Sequence, residues 1–404
     1  MGATLAFLGV YNCMPLMHGA QGCASFSKVF FTRHFKEPIA IQTTAVRDVT
    51  AVMDGGDYSI LEAIKNITQK VTPSLIGLFT TGLTETKGDD VKRVAKMSDY
   101  PICYVNTPDY EGDIQSGWST VVSSLIEQLV VPKSVTIDNK IVVIPNVNMQ
   151  PIEVEKVKEF LESFGFDVFS LPDLSNSLDG YLGEKQGQVS SGGIDVEDIK
   201  NLADTNIVVT IGESVKNCST KLIEKNTKIK HIHVNSLSGL ESSDNFVEQL
   251  LQLKLTKVND KIVRWRKRLQ DSMLDSHFSI GKAKIGLAND SDLVYSQAKA
   301  LLEVGAEIEF AVIPTFSKEI LELPIKNVII GDFEDVLKNI QNIDILISNF
   351  HGIKIAKDNH IPIVVRGFPC WEIVGNQLKN DLLYEGSCYF LFEVANALIN
   401  SSHE

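Results

Sequence analysis

The stretch Ile141–Pro172, IVVIPNVNMQPIEVEKVKEFLESFGFDVFSLP, reads as one strand–helix–strand unit. Lys140–Pro145 is a short apolar run bounded by a polar loop, which fits a strand buried on both faces. Pro151 opens a helix that runs to Phe164, and Gly165 closes it, the usual asymmetry of helix caps. Asp167–Leu171 is the returning strand. The same grammar recurs in Lys284–Pro314, KIGLANDSDLVYSQAKALLEVGAEIEFAVIP. There Ala283–Ala288 is a strand, Asp290–Val304 a helix, Gly305 its cap and Glu307–Ile313 the second strand. Repeated units of this kind build right-handed crossovers and a parallel sheet.

Further units flank these two. In the first third, Ser74–Thr81 and Ile102–Val105 read as strands, with helical spacing over Lys87–Lys96 and Ser116–Val130. In the middle, strands at Ile207–Ile211 and Lys230–Val234 enclose a helix over Ser214–Lys225. Helices at Gly239–Leu253 and Lys257–Leu274 form a bridge. Strands at Val328–Ile330, Ile343–Ser348 and Ile361–Val365 and a helix over Leu382–Ile399 complete the chain. The fold class is α/β: three Rossmann-like domains with parallel sheets flanked by helices, divided at 1–134, 135–256 and 257–404. Such repetition carries no function by itself.

Composition narrows the function classes. The chain has 404 residues, 44% hydrophobic and 22% charged, with a net charge of −13. That acidity excludes a general nucleic-acid binder and a binder of anionic membranes. One basic run, Lys254–Arg268, alternates with Leu255, Val258, Ile262, Val263 and Leu269, and reads as the solvated face of a helix. Met1–Val10 lacks the features of a secretory signal, and no run of about 18 apolar residues marks a membrane span. A cytoplasmic location is expected. The six cysteines, at 13, 23, 103, 218, 370 and 388, form no C-x-x-C pair, so neither a disulfide framework nor a self-contained zinc or iron–sulfur site is readable.

Motifs for a nucleotide phosphate loop, a dinucleotide fingerprint, a zinc protease and a serine hydrolase are all missing. His231 and His233 share one face of a strand, a pattern more often found at strand ends than in metal sites. His277 follows the bridging helix and reads as a local cap. The loop His18-Gly19-Ala20-Gln21-Gly22-Cys23 stands out, with a helix-like run from Ala24 to Phe35 behind it. A thiolate at a helix N-terminus is stabilised by free N–H groups and by the dipole. Glycines on the approach, Gly22 among them, let something large come close. The plainer reading is that Cys23 is one more small buried residue, and His18 either lines this loop or satisfies a local carbonyl. Cys103 reads as core. Cys13 is the one cysteine near Cys23 in sequence.

The opening stretch MGATLAFLGVYNCMPLMHGAQGCASFSKVFFTRHFKEPIAIQTTA resembles the β-subunit branch of the nitrogenase component 1 family. The resemblance continues through TTGLTETKGDD, VNTPDYEG, LPDLSNSLDGYL, QDSMLDSHF and RGFP, and so spans essentially the whole chain. It implies a nitrogenase component 1-like fold of three Rossmann-like domains. Within the family the chain is most similar to the cofactor-assembly scaffold rather than to the enzyme. Gly82 stands where the catalytic β subunit has a second cluster cysteine, and the segment that precedes the MGA run in that subunit is missing or truncated. The resemblance makes Cys23, with Gly22 beside it, the ligand to a [4Fe–4S] cluster shared with the sister subunit, and Cys13 a non-ligand. A cubane cluster takes four thiolates, so three come from that NifE-like partner in an α2β2 heterotetramer. It further implies an iron–molybdenum cofactor precursor, derived from NifB, matured on the heteromer, and a transient NifH-like iron protein. No catalytic residue is expected in this chain. A β-type subunit of a nitrogenase-like reductase, a vanadium-system scaffold and a cluster-free binding module remain the competing expectations.

Overall fold

The computed structural model of the chain describes residues 1–35, 38–46, 56–182, 188–254 and 256–401. Leu255 of the basic run, and Lys36 and Glu37 of the opening stretch, lie outside these residues. Among the described residues the first part comprises α1 (Gly2–Leu8), β1 (Cys13–His18), α2 (Gln21–Phe30), β2 (Gln42–Thr43), α3 (Asp57–Thr68), β3 (Leu75–Thr80), α4 (Gly82–Lys87), α5 (Val91–Met97), β4 (Ile102–Val105) and α6 (Ile114–Leu129). Next come β5 (Ile137–Pro145), α7 (Pro151–Glu162), β6 (Asp167–Ser170), α8 (Val196–Asn201), β7 (Thr205–Ile211), α9 (Cys218–Lys225), β8 (Lys230–Val234) and α10 (Leu240–Leu253). The long α11 (Asp260–Ile280) leads to β9 (Lys284–Ala288), α12 (Ser291–Glu303), β10 (Glu307–Ile313), β11 (Ile325–Ile330), α13 (Phe333–Asn339), β12 (Ile345–Ser348), α14 (Phe350–Asp358), β13 (Ile363–Val365) and α15 (Leu383–Ser401).

Three sheets result, with strand orders β2-β1-β3-β4, β6-β5-β7-β8 and β11-β10-β9-β12-β13. Every pairing is parallel, as the repeated crossover units require. The two echoing stretches are equivalent units: β5–α7–β6 and β9–α12–β10 each pair their strands side by side. The middle sheet is shared between two cores. Ile141 and Val143 of β5 join a core with the third sheet, and Val142 and Ile144 join one with the first, which is the period of two expected of a strand.

Two elements at the start of the chain go unassigned in the sequence reading. Cys13–His18 forms a strand although Pro15 argues against one. The reason is local: β2 pairs only with Leu16 and Met17, so at Pro15 the strand is paired only with β3 and one missing N–H is tolerated. Ahead of it the apolar opening run forms α1, buried along its whole length. It lies against α6 at very close range, since a Cβ on Gly2 would stand 1.9 Å from the Ile114 carbonyl oxygen. The loop Leu171–Leu182 then staples the α1–β1 turn. Asp173 N–H donates to Gly9 O at 3.0 Å and Ser177 Oγ to Leu8 O at 2.5 Å.

The carboxyl ends of the three sheets converge. Gln115, in the first turn of α6, donates to Ser291 Oγ at 2.9 Å and accepts from Asp292 N–H at 3.0 Å. Asp292 in turn accepts from Glu213 N–H at 3.0 Å and from Ser214 Oγ at 2.5 Å. Burial pushes this carboxyl up to about 6, the Ser214 and Glu213 donors holding it below what burial alone would give. Burial, with Asp381 nearby, pushes Glu153 up to about 8, and burial beside Asp113 and Asp292 takes Asp290 to about 7. Between an ordinary carboxylate value of about 4 and these raised values, the folded chain holds protons that the unfolded chain has released. Stability therefore falls as pH rises through that window. The midpoint of thermal unfolding is expected to be higher at pH 6 than at pH 8, and Glu153→Gln to flatten the slope. A midpoint that rises from pH 6 to pH 8 contradicts this.

Candidate functional site

A cavity of 990 Å³ opens at the head of the first sheet. Its floor is the end of β3, Phe79–Thr81, and the loop after β4, Asn106–Asp109. One wall is α2, from Gly22 and Cys23 to Phe30 at its end; the opposite wall is the start of α1 and of α6. Asp290, Pro314 and Phe368 reach in from the third sheet. Ligand crevices of open parallel sheets lie at this end of the strands.

Helix α2 begins at Gln21, three residues ahead of the sequence expectation, and ends at Phe30 rather than Phe35. Cys23 is thus inside the first turn. Its N–H donates to Ala20 O at 3.1 Å, and its carbonyl accepts from Ser27 Oγ at 3.0 Å. Ala20 offers no side-chain cap to the N-terminus of the helix. Cys23 is half-buried, whereas the other five cysteines are buried. Burial pushes the Cys218 and Cys370 thiols up to about 11 and those of Cys13, Cys103 and Cys388 upward as well. Thiolate chemistry at those five is suppressed. A Cβ built on Gly22 meets nothing within 4 Å, so the space beside Cys23 is open. Gly19 is different: its Cβ would stand 2.7 Å from the Thr81 side chain, so its smallness serves packing within the chain.

Position 82 is occupied in a second sense. Gly82 begins α4 behind a capping box formed by Thr81 and Thr84. A Cβ there would lie 1.9 Å from Asp109 Oδ1, so the Asp109 carboxylate fills the room a side chain at 82 would need. Asp109 and Phe368 lie in the stretches VNTPDYEG and RGFP, but the sequence assigns neither to the site, because each reaches the cavity from a loop distant in the chain. Phe368 packs on the far end of the cysteine helix, with ring centroids 6.4 Å from Phe30, 5.7 Å from Phe31 and 4.2 Å from His34. Trp371 Nε1 donates to Phe30 O at 3.3 Å. The third sheet thereby holds the helix that presents Cys23.

The histidines are placed elsewhere. His18 does not line the cavity. It is buried, with Nδ1 2.9 Å from the Thr44 hydroxyl and Nε2 2.9 Å from Asp89 Oδ2, a side-chain network rather than the local carbonyl expected. Its burial lowers its pKa. His231 Nε2 and His233 Nδ1 both bond the Thr210 hydroxyl, at 2.8 and 2.9 Å. His277 Nδ1 lies 2.8 Å from Val304 O and ties the end of α11 to the turn after α12. Among the described residues no group of three or more His, Cys, Asp or Glu side chains could hold a metal ion, and no helix is long and apolar enough to cross a membrane.

Comparison with known proteins supplies what geometry alone does not. A family model described as Nitrogenase component 1 type Oxidoreductase matches residues 1–399. The chain is 36% identical over 409 residues to the nitrogenase iron-molybdenum cofactor biosynthesis protein NifN of Nostoc sp. strain PCC 7120, covering 99% of this chain and 91% of that protein. The protein of the same name from Klebsiella pneumoniae is 32% identical over 416 residues, covering 100% and 90%. The solved structure "Nitrogenase Cp1 at pH 6.5" superposes with a TM-score of 0.94 at 28% identity, covering 99% of this chain and 92% of that one. A second, "Nitrogenase Cp1 at pH 5", has a TM-score of 0.73 at 14% identity over 99% and 88%, a likeness of fold.

Proposed function

The chain belongs to the nitrogenase component 1 type oxidoreductase family, and from that premise we propose that it is a NifN-like scaffold subunit for maturation of the nitrogenase iron–molybdenum cofactor, not an enzyme. Its part in the assembly is to supply one face of an interface and one ligand. Cys23 gives a single thiolate to a [4Fe–4S] cluster, and a NifE-like sister subunit gives the other three, in an α2β2 heterotetramer. In this reading residues 1–134 are the cluster-interface domain, and 135–256 and 257–404 its supporting Rossmann-like domains. The cofactor precursor, derived from NifB, sits chiefly on the sister subunit, and a NifH-like iron protein docks transiently. The setting is the cytoplasm.

The observation that carries the reading is the isolation of Cys23: one half-buried thiol on the wall of an open cavity, with five buried ones elsewhere. A cubane cluster takes four thiolates, and this wall fits one corner of it. When bound, the cluster supplies an electron store at the interface. The chain's own contribution is orientation: Phe368 and Trp371 hold α2, the open ground beside Gly22 admits the cluster, and the first-turn N–H groups favour negative charge at Cys23. The names of the relatives support a role in cofactor biosynthesis.

A second reading, a β-type subunit of a nitrogenase-like reductase, is favoured by the oxidoreductase family and by the nitrogenase structures it resembles. Gly82 weighs against that reading, since it offers no thiol, and a side chain there would have to displace the exposed Asp109 carboxylate. The test is maturation. The anaerobically purified heteromer, loaded with cofactor precursor and supplied with iron protein, ATP, molybdate and homocitrate, is expected to activate cofactor-free nitrogenase while reducing no dinitrogen itself. A heteromer that reduces substrate and activates nothing overturns the scaffold reading.

A further inference from the structure

The two echoing units meet across the crevice between the second and third sheets. A small cavity of 30 Å³ lies there, walled by Asn148 and Glu153 from the β5–α7 unit, by Asp292 and Gln297 from the β9–α12 unit, and by Asp381. Each unit places one carboxylate in the first turn of its helix, Glu153 in α7 and Asp292 in α12. Asp381 is neutralised by the Arg366 guanidinium, which donates to both of its oxygens. The other two carboxylates have only neutral donors. Glu153 accepts from the Gln150 and Asp381 N–H groups, each at 2.8 Å, and Asp292 from the Glu213 N–H and the Ser214 hydroxyl. A helix N-terminus supplies about half a unit charge, so a full negative charge on each is only partly offset. The amides beside them point to an occupant. Asn148 is 6% exposed and Gln297 2%, and in both the side-chain oxygen and nitrogen lack a hydrogen-bond partner. Buried amides without partners are rare in folded proteins. The volume holds about two water-sized spheres, too little for an organic molecule.

We propose that this cavity is a site for a hard divalent cation of the size of Ca²⁺ or Mn²⁺, bound by the Glu153 and Asp292 carboxylates and the side-chain oxygens of Asn148 and Gln297, with a water beside it. Two carboxylates alone do not make such a site; the amide oxygens complete it. The donors are all oxygen, with no His or Cys on the wall, which suits a hard cation over zinc or copper. Space for so little water disfavours Mg²⁺, which keeps several waters of its own. The water takes up an amide N–H, which a cation cannot serve. With ligands from the second and the third sheet, the ion is a clip across the crevice, independent of any cluster at Cys23. Cation and proton compete for the same oxygens. Burial raises Glu153 to about 8 and Asp292 to about 6. Asp381 and Arg366 face the first, Asp113 and Asp290 the second. The fall in stability from pH 6 to pH 8 therefore belongs to the metal-free chain, and a bound cation, taking the place of the protons, offsets it.

The test is Mn²⁺ binding to the full chain, first stripped with a chelator. Loss of the free-ion electron paramagnetic resonance signal reads binding, and thermal unfolding at pH 6 and pH 8 reads its effect. Wild type is expected to take up one Mn²⁺ per chain, and its unfolding midpoint to rise on binding by more at pH 8 than at pH 6. Glu153→Gln and Gln297→Leu are each expected to bind at least about ten-fold more weakly. Gln297→Leu removes a buried amide that has no partners, so the metal-free variant is expected to be no less stable than wild type, and its lost binding is not lost folding. A wild type that takes up no Mn²⁺ overturns the inference, since water then fills the cavity. Mn²⁺ held at full affinity by either variant also overturns it, since the ion then sits on other carboxylates.

Discussion

Cys23→Ala is expected to strip the iron–sulfur cluster from the heteromer while leaving this chain folded. The side chain is half-buried on a cavity wall, so removing its sulfur leaves no closed void and costs little stability, within about 1 kcal/mol. The loss falls on the ligand set. A cluster held by four thiolates loses one of them, and the other five cysteines of this chain are buried, with raised thiol pKa values, and do not line that wall. In a heteromer free of cofactor precursor, iron per heterodimer is expected to drop from about four atoms to less than half of that, with the melting temperature of the chain unchanged. Cys13→Ala serves as the control: Cys13 is wholly buried in the first core, so its truncation lowers stability and leaves iron in place. Iron retained in full by Cys23→Ala contradicts the assignment.

Arg366→Ala is expected to be among the most destabilising single substitutions in the third sheet. The guanidinium is buried and paired on both edges. It bonds Asp381 at 2.5 and 3.0 Å and Glu393 at 2.6 and 3.2 Å, and donates to Val365 O at 3.0 Å. Removing one partner of a buried ion pair costs about 3–5 kcal/mol because the other charges are stranded. Glu393 is 43% exposed and can rehydrate, which places the expectation near the lower end, about 3 kcal/mol. Arg366→Lys is expected to recover only part, since an ammonium cannot serve two carboxylates with a fork. Arg366 lies two residues before Phe368, the ring under the cysteine helix, so iron retention is expected to fall alongside stability. Chemical denaturation of the full chain reads the first effect; a loss below about 1 kcal/mol contradicts it.

What could be read in advance follows the physics of each feature. The repeated crossover units were legible because apolar runs and helical spacing are local, and Pro151, Gly165 and Gly305 punctuate them. The parallel sheets follow from those units. Strand β1 was not legible, because Pro15 argues against a strand locally and its tolerance rests on the pairing of β1 with a two-residue β2. In the site, the glycine-flanked Cys23 was visible as a candidate, but what distinguishes it from five other cysteines is burial, which sequence spacing does not carry. His18 was ambiguous for a similar reason: its partner Asp89 lies 71 residues away. Asp109 beside Gly82 and Phe368 under α2 arise from loops that meet only in the folded chain.

The measurement that bears most directly on the central claim is iron and acid-labile sulfide in the wild-type chain, purified anaerobically once alone and once with its sister subunit. In a heteromer free of cofactor precursor, one thiolate here and three from the partner imply about four irons per heterodimer and almost none on the lone chain. A lone chain that carries a full cluster, or a stable heteromer that carries none, contradicts the shared site.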